Sequence, residues 1–220
     1  MVKKWLKLFT EDIFAFSKKQ RSFSLFVIIA IFFIMFEYGM SCPASTSVFI
    51  SQFSTKSLPY VYLFIVPLNF VIVSLYNRII LLLGVYKTFI LTLILISSIH
   101  LLCASFADTF PLLIFFQYAF RDIYILLLFK QLWSMIHATM DVSKAKYLYT
   151  LPFLVGSLGA IIGSLLPALL AISVGSLKLF YLTPFIYLFL YLAYKKAFSL
   201  GSFNCSSDYL LGIPVCQCVC

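Results

Sequence analysis

Residues 18–37 read KKQRSFSLFVIIAIFFIMFE, and this stretch decides the fold. Lys18, Lys19 and Arg21 stand before an apolar run from Phe23 to Phe36, and the run continues past Glu37. A secretory signal has a similar basic start and apolar core. Its core is short, however, whereas this one is at the long end already and does not stop at Glu37. Cys42 invites a lipoprotein reading, but Gly39-Met-Ser-Cys42 lacks the Leu expected three positions before the Cys. The stretch is therefore the first membrane helix. Glu37 is a charge carried inside it.

The rest of the chain repeats the theme. It has 220 residues, 63% hydrophobic and 10% charged. A soluble domain has no room to bury that much apolar surface. Six apolar runs can be drawn, at about 23–51, 59–76, 88–106, 111–138, 147–174 and 177–194. Each meets the ~20-residue length of a bilayer helix. The first is expected to tilt or break near Pro43, the second contains Pro67, and Pro111 opens the fourth, where proline is tolerated. A tight basic turn from Asn77-Arg78 to Tyr86-Lys87 is expected to join the second and third. The gaps are short, so neighbouring helices are antiparallel.

Basic residues set the orientation. One set of ends and gaps holds Lys3, Lys4, Lys7, Lys18, Lys19, Arg21, Arg78, Lys87, Lys144, Lys146, Lys195 and Lys196. The opposite gaps hold Lys56 and Lys178. Positive charge collects in cytoplasmic loops, so both termini are expected in the cytoplasm. The net charge of +9 reflects this bias and some attraction to anionic lipid, rather than a nucleic-acid surface. No nucleic-acid partner is expected.

Three regions follow. Residues 1–22 form a basic, mildly amphipathic cytoplasmic segment with Trp5, Phe9, Ile13 and Phe16 at helical spacing. Residues 23–198 form the six-helix membrane domain. Residues 199–220 are a polar, Cys-rich cytoplasmic tail, read as a non-native or frameshifted end. Cys205, Cys216, Cys218 and Cys220 lack zinc-site spacing and a nearby His, so free thiols are expected. Neither a metal nor a cofactor is expected.

Charges inside the bilayer are costly and mark a cavity or a partner. Glu37 lies roughly 21 Å from the cytoplasmic end of its helix and Arg121 roughly 26 Å from the same surface, at 1.5 Å per residue. The matched depth predicts a Glu37–Arg121 pair between the first and fourth helices. Gln117 is one turn from Arg121 on the same face, and Asp122 follows it. These four residues, Glu37, Gln117, Arg121 and Asp122, are the candidate substrate pathway, with a static ion pair as the alternative. Lys130 points away from Arg121 and can snorkel. His100 and His137 are expected near opposite membrane faces as interfacial residues. Gly156, Gly159 and Gly163, with Ser157, Ala160 and Ser164 beside them, form a helix-packing face containing a GxxxG step. The aromatic residues are expected mainly on the lipid surface and in the interfacial belts. No Walker loop, HExxH or GxSxG motif is present, and no enzyme is expected.

Leu132-Trp133-Ser134, then Asp141-Val-Ser-Lys-Ala-Lys146-Tyr-Leu-Tyr149, resemble the segment closing helix four and opening helix five in the ATP/ADP translocases of plastids and intracellular bacteria. The Phe/Tyr-rich first helix and the Asn77-Arg78 turn are similar too. The specific match covers Leu132 to Tyr149. The chain departs from the family at Ser41-Cys-Pro-Ala-Ser-Thr-Ser47, which lacks the family's basic-acidic cluster, and in its first glycine after Tyr149, which comes late. Arg121 and Asp122 stand where the family has an acidic residue. The resemblance implies one N-terminal half of a major facilitator-like nucleotide transporter, in a bacterial inner membrane. It implies an anionic small-molecule substrate, and a second wall from a missing C-terminal half or a homodimer partner. The alternative is a non-transporting scaffold or degenerate transporter fragment.

Overall fold

The computed structural model describes residues 17–201 apart from Asp108 and Asp141, and the backbone alone for 142–152. The amphipathic segment and the Cys-rich tail expected at the two ends lie outside the described residues. Five α-helices follow one another: α1 (Lys18–Phe53), α2 (Leu58–Phe106), α3 (Leu112–Thr139), α4 (Val142–Leu170) and α5 (Thr183–Leu200). Short 3-10 segments at Thr55–Ser57 and Ser176–Leu182 lead into α2 and α5. Among the described residues, five helices are long and apolar enough to cross a membrane. Exposed Phe70, Leu82, Phe153, Leu169 and Phe185 give the bundle the apolar exterior of a lipid-embedded protein.

The start of α1 is fixed locally. The Ser17 hydroxyl accepts from Gln20 N at 3.2 Å, and the Gln20 side chain accepts from Ser17 N at 3.1 Å. This reciprocal capping box satisfies two orphan amides and starts the helix five residues before Phe23. Of the tilt or break expected near Pro43, there is no break: α1 runs through it as one helix. Proline removes the donor that the Gly39 carbonyl would take, and the hydroxyls of the next turn bond a different carbonyl. Ser45 Oγ and Thr46 Oγ1 both donate to the Cys42 carbonyl, at 3.1 and 2.8 Å.

The basic turn expected from Asn77-Arg78 to Tyr86-Lys87 closes at one point inside those bounds. The helix passes through Asn77 and Arg78, and the chain reverses at Gly84, where φ is 75° and ψ 168°. Only glycine takes that backbone without a Cβ clash. The apolar Ile79–Leu83 segment carries the helix past the charge. The reversal folds α2 into two antiparallel arms. Val61 and Cys103, near its opposite ends, belong to one cluster with Phe49, Ile114 and Tyr118. Asn77 and Thr92 meet neighbouring residues of α3, Lys130 at 2.8 Å and Gln131 at 3.1 Å.

α1 is the hub, packed against α3, α4 and α5. Its contact with α4 is close because both helices present small residues. Gly39 faces the Ala160 backbone, Gly163 the Phe36 carbonyl, and a Cβ on Gly159 would lie 2.6 Å from the Phe32 carbonyl oxygen. Gly156 faces only the Met35 and Ile31 side chains. The larger core gathers Phe23, Ile34, Phe89, Tyr124, Leu128, Met135 and Tyr194 from four helices. Cys42 and Cys103 are free thiols.

The two ends of the bundle differ in charge. Tyr86 packs on Phe198, and Gly201 lies against Thr139, so the Gly84 reversal and the C-terminal ends of α3 and α5 share one end. Lys18, Lys19, Arg21, Lys87, Lys195 and Lys196 lie toward that end. Lys56 and Lys178 lie at the other, beside the cluster that includes Phe53, Leu58 and Leu177.

Candidate functional site

A polar seam runs through the apolar bundle where α1 crosses α3. On α1, Glu37, Ser41 and Ser45 recur every fourth residue and all three are buried. On α3, Gln117, Arg121 and Tyr124 follow at helical spacing, also buried. The helices are antiparallel, so Tyr124 lies level with Glu37 and Ser41, and Arg121 with Ser45. Tyr124 Oη donates to the Glu37 carboxylate, 3.0 and 3.1 Å from its two oxygens. Ser41 Oγ lies 3.0 Å from the same hydroxyl and can donate to it.

Arg121 is engaged two turns away. Its Nη1 donates to Ser45 Oγ at 2.6 Å, to the Cys42 carbonyl at 3.0 Å and to Thr46 Oγ1 at 3.2 Å. Its Nε donates to Asp122 Oδ1 at 3.0 Å. The guanidinium also lies over the Tyr118 ring, 4.6 Å from the centroid. The expected Glu37–Arg121 pair is therefore replaced by two separate partnerships.

The reason is helix register. α1 and α3 meet near the end away from the basic cluster, where Phe49 and Phe53 pack on Phe115. With that end in register, the extra length of α1 projects at the other. Glu37 and Ser45 are eight residues apart, about 12 Å along the helix. Depth counted from the basic end alone misses that offset.

His100 departs most from expectation. It sits inside the bundle, 1% exposed, rather than at a membrane face. Its ring stacks on Phe180 (5.2 Å, 2°) and meets Tyr124 edge-on (5.5 Å, 86°). Its Nδ1 has no hydrogen-bond partner among the described residues and lies 3.9 Å from Glu37 Oε1. Sequence held a signal for this placement. Phe89, Leu93, Ile96, His100 and Cys103 recur at intervals of three and four, and all are buried. Tyr124 was equally legible, one turn from Arg121. Tyr187, from α5, is buried against the same imidazole ring, with its hydroxyl on the Glu37 side of the seam.

Gln117 is buried one turn from Arg121, and its amide nitrogen has no partner among the described residues. Asp122 differs from the rest of the seam. Its side chain is 31% exposed and opens onto the flank of the bundle. Lys130 lies outside the seam, over the Tyr76 ring at 5.0 Å and bonded to Asn77. Gly156, Gly159 and Gly163 all face α1 rather than the seam. Among the described residues, no group of three or more His, Cys, Asp or Glu could hold a metal ion.

The arrangement offers two chemistries. One is a carboxylate beside an imidazole, sealed from solvent. The other is a guanidinium held by an open-sided carboxylate, with a spare amide donor nearby. No protein-family model, no curated protein and no solved structure matches the chain.

Proposed function

We propose that the chain is one wall of a transport path for an anionic small molecule through a membrane. A nucleotide is the candidate that the resemblance to ATP/ADP translocases adds. The observation that carries this reading is the Arg121–Asp122 pair, whose carboxylate is partly open on the flank of the bundle. A charge facing lipid at a helix centre costs about 2.5–3.5 kcal/mol on an insertion scale. Water or a further set of helices covers that flank more cheaply than lipid. Guanidinium matches carboxylate and phosphate geometry. In the absence of substrate, Asp122 neutralises Arg121. A substrate anion competes for the guanidinium and takes the spare Gln117 donor.

In this reading the two arms of α2 count as separate crossings, giving six in all. The end rich in Lys and Arg is cytoplasmic. The chain is one half of a facilitator-type transporter, completed by a second copy, another chain or further helices. Halves of that fold are parallel repeats, so a second copy inserted the same way has the required orientation. The alternative is a non-transporting scaffold or degenerate transporter fragment, with Gly156 to Gly163 as a helix-contact face; α1 of the same chain packs there. The test is uptake of labelled nucleotides and small anions by cells expressing the full natural locus. Arg121→Gln should lower uptake at least about tenfold at equal membrane expression, equivalent to 1.4 kcal/mol. Absence of uptake for every anion tried would overturn the reading.

A further inference from the structure

We propose that Glu37 and His100 form a site for one proton, closed to solvent in this conformation, and that the proton ties α1 to α2. Glu37 is wholly buried and His100 nearly so. The elements packed around the carboxylate offer few counter-charges. From α2 comes His100, and from α5 Tyr187. From α3 come Tyr124, bonded to the carboxylate, and Arg121, which is engaged with Asp122, Ser45 and Thr46 about two turns along the seam. Phe180 contributes only its ring from the 3-10 segment. The described side chains of α4, residues 153–170, include no ionisable group. His100 is thus the one basic group within ion-pair distance of Glu37 among the described residues.

Charge counting then fixes the stoichiometry. With one proton, the pair is net neutral, as carboxylic acid with imidazole or as carboxylate with imidazolium. With none, a buried anion rests on the Tyr124 hydroxyl. With two, a buried cation remains. Burying net charge in such a site is expensive. The proton comes from bulk water and returns to it, with no other bond made or broken.

The geometry gives the proton a mechanical effect. Nδ1 stands 3.9 Å from Oε1, beyond the ~3.2 Å limit of a hydrogen bond. The ring is held between the Phe180 face and the Tyr124 edge, so it cannot simply swing across. Closing the gap draws the His100 arm of α2 toward α1. At the present distance Nδ1 has no hydrogen-bond partner among the described residues. Since both groups are buried, proton exchange requires the helices to part. Occupancy and helix position are therefore linked.

The chain contains two glutamates, Glu11 and Glu37, and two histidines, His100 and His137. The full chain carrying Glu11→Gln, made by cell-free synthesis with carboxyl-labelled glutamate and placed in lipid nanodiscs, reports Glu37 alone by infrared spectroscopy. Its carboxyl band should change once from about pH 4 to about pH 9, a range bracketing ordinary carboxylate and imidazole values. His100→Gln should move the midpoint by at least about one pH unit, a tenfold change. A companion measurement leaves the pair intact: nitrogen-labelled histidine in His137→Gln should show Nδ1 responding at the same midpoint. A Glu37 band that does not titrate, or one indifferent to His100, would overturn the site.

The further step, that this proton drives transport, rests on the transport reading. An inward proton gradient should then speed anion uptake severalfold in the wild-type chain and not in Glu37→Gln. Titration as expected without any uptake would support the proton site and remove the transport reading. Uptake indifferent to the gradient would remove the driving role.

Discussion

Substituting alanine at each of three glycines of α4 should give three different outcomes, because each meets a different surface of α1. At Gly156 the added methyl would lie 3.1 Å from Met35 Cγ, part of a flexible side chain. Met35 can move, and alanine favours a helix over glycine by about 1 kcal/mol. Gly156→Ala should be neutral or slightly stabilising. At Gly159 the methyl would lie 2.6 Å from the Phe32 carbonyl oxygen, where ordinary contact begins at 3.4 Å. The difference, 3.4 minus 2.6, is 0.8 Å, and it must come from moving two backbones. Overpacking of this kind costs about 1–3 kcal/mol. Set against the helix gain, Gly159→Ala should lose up to about 2 kcal/mol. At Gly163 the clash with the Phe36 carbonyl is tighter still, so its loss should be the largest, and leucine at either position should be worse. Unfolding of the purified variants in one detergent, followed by circular dichroism, ranks them. Equal stability for Gly156→Ala and Gly163→Ala, or an order with Gly156 lowest, would refute the α1–α4 packing.

The seam predicts the outcome of two double-mutant cycles, and the ends of the bundle predict a topology. Arg121→Gln and Asp122→Asn should be coupled in a double-mutant cycle on stability, within the about 0.5–3 kcal/mol found for contacting residues. Glu37→Gln and Arg121→Gln should instead add nearly independently, so stronger coupling in that second cycle would contradict the register. A reporter fused after Lys196 should be active only in its cytoplasmic form and one near Lys56 only in its external form; the reverse pattern would remove the assigned topology.

The existence of the helices was legible because it depends on composition alone. The stretch 23–36 needed only its length and lack of charge. The boundaries were less legible. Ser17-x-x-Gln20 carries a capping signal that moves the start of α1 back to Lys18. The reversal inside α2 obeys Gly84 rather than the neighbouring basic residues, because a backbone with positive φ selects glycine, whereas charge only selects the membrane side. Gly156, Gly159 and Gly163 were readable as close-packing positions. Their partner was not, since nothing in a row of small residues says which helix will approach.

The site divides along the same line. Glu37 and Arg121 stood out as charges in apolar runs, and their heights could be counted at about 1.5 Å per residue. Height is measured from an end, and α1 outlasts α3 at the basic end while their other ends meet. Counting could not reveal that offset. It is set by aromatic contacts such as Phe53 on Phe115. Once those rings align the helices, Ser45 rather than Glu37 stands opposite Arg121, and Tyr124 stands opposite Glu37. The carboxylate is then left without a cation from α3, and His100 supplies the nearby basic group from α2. Helix register, set at the aromatic end, thus gives Arg121 and Glu37 separate partners.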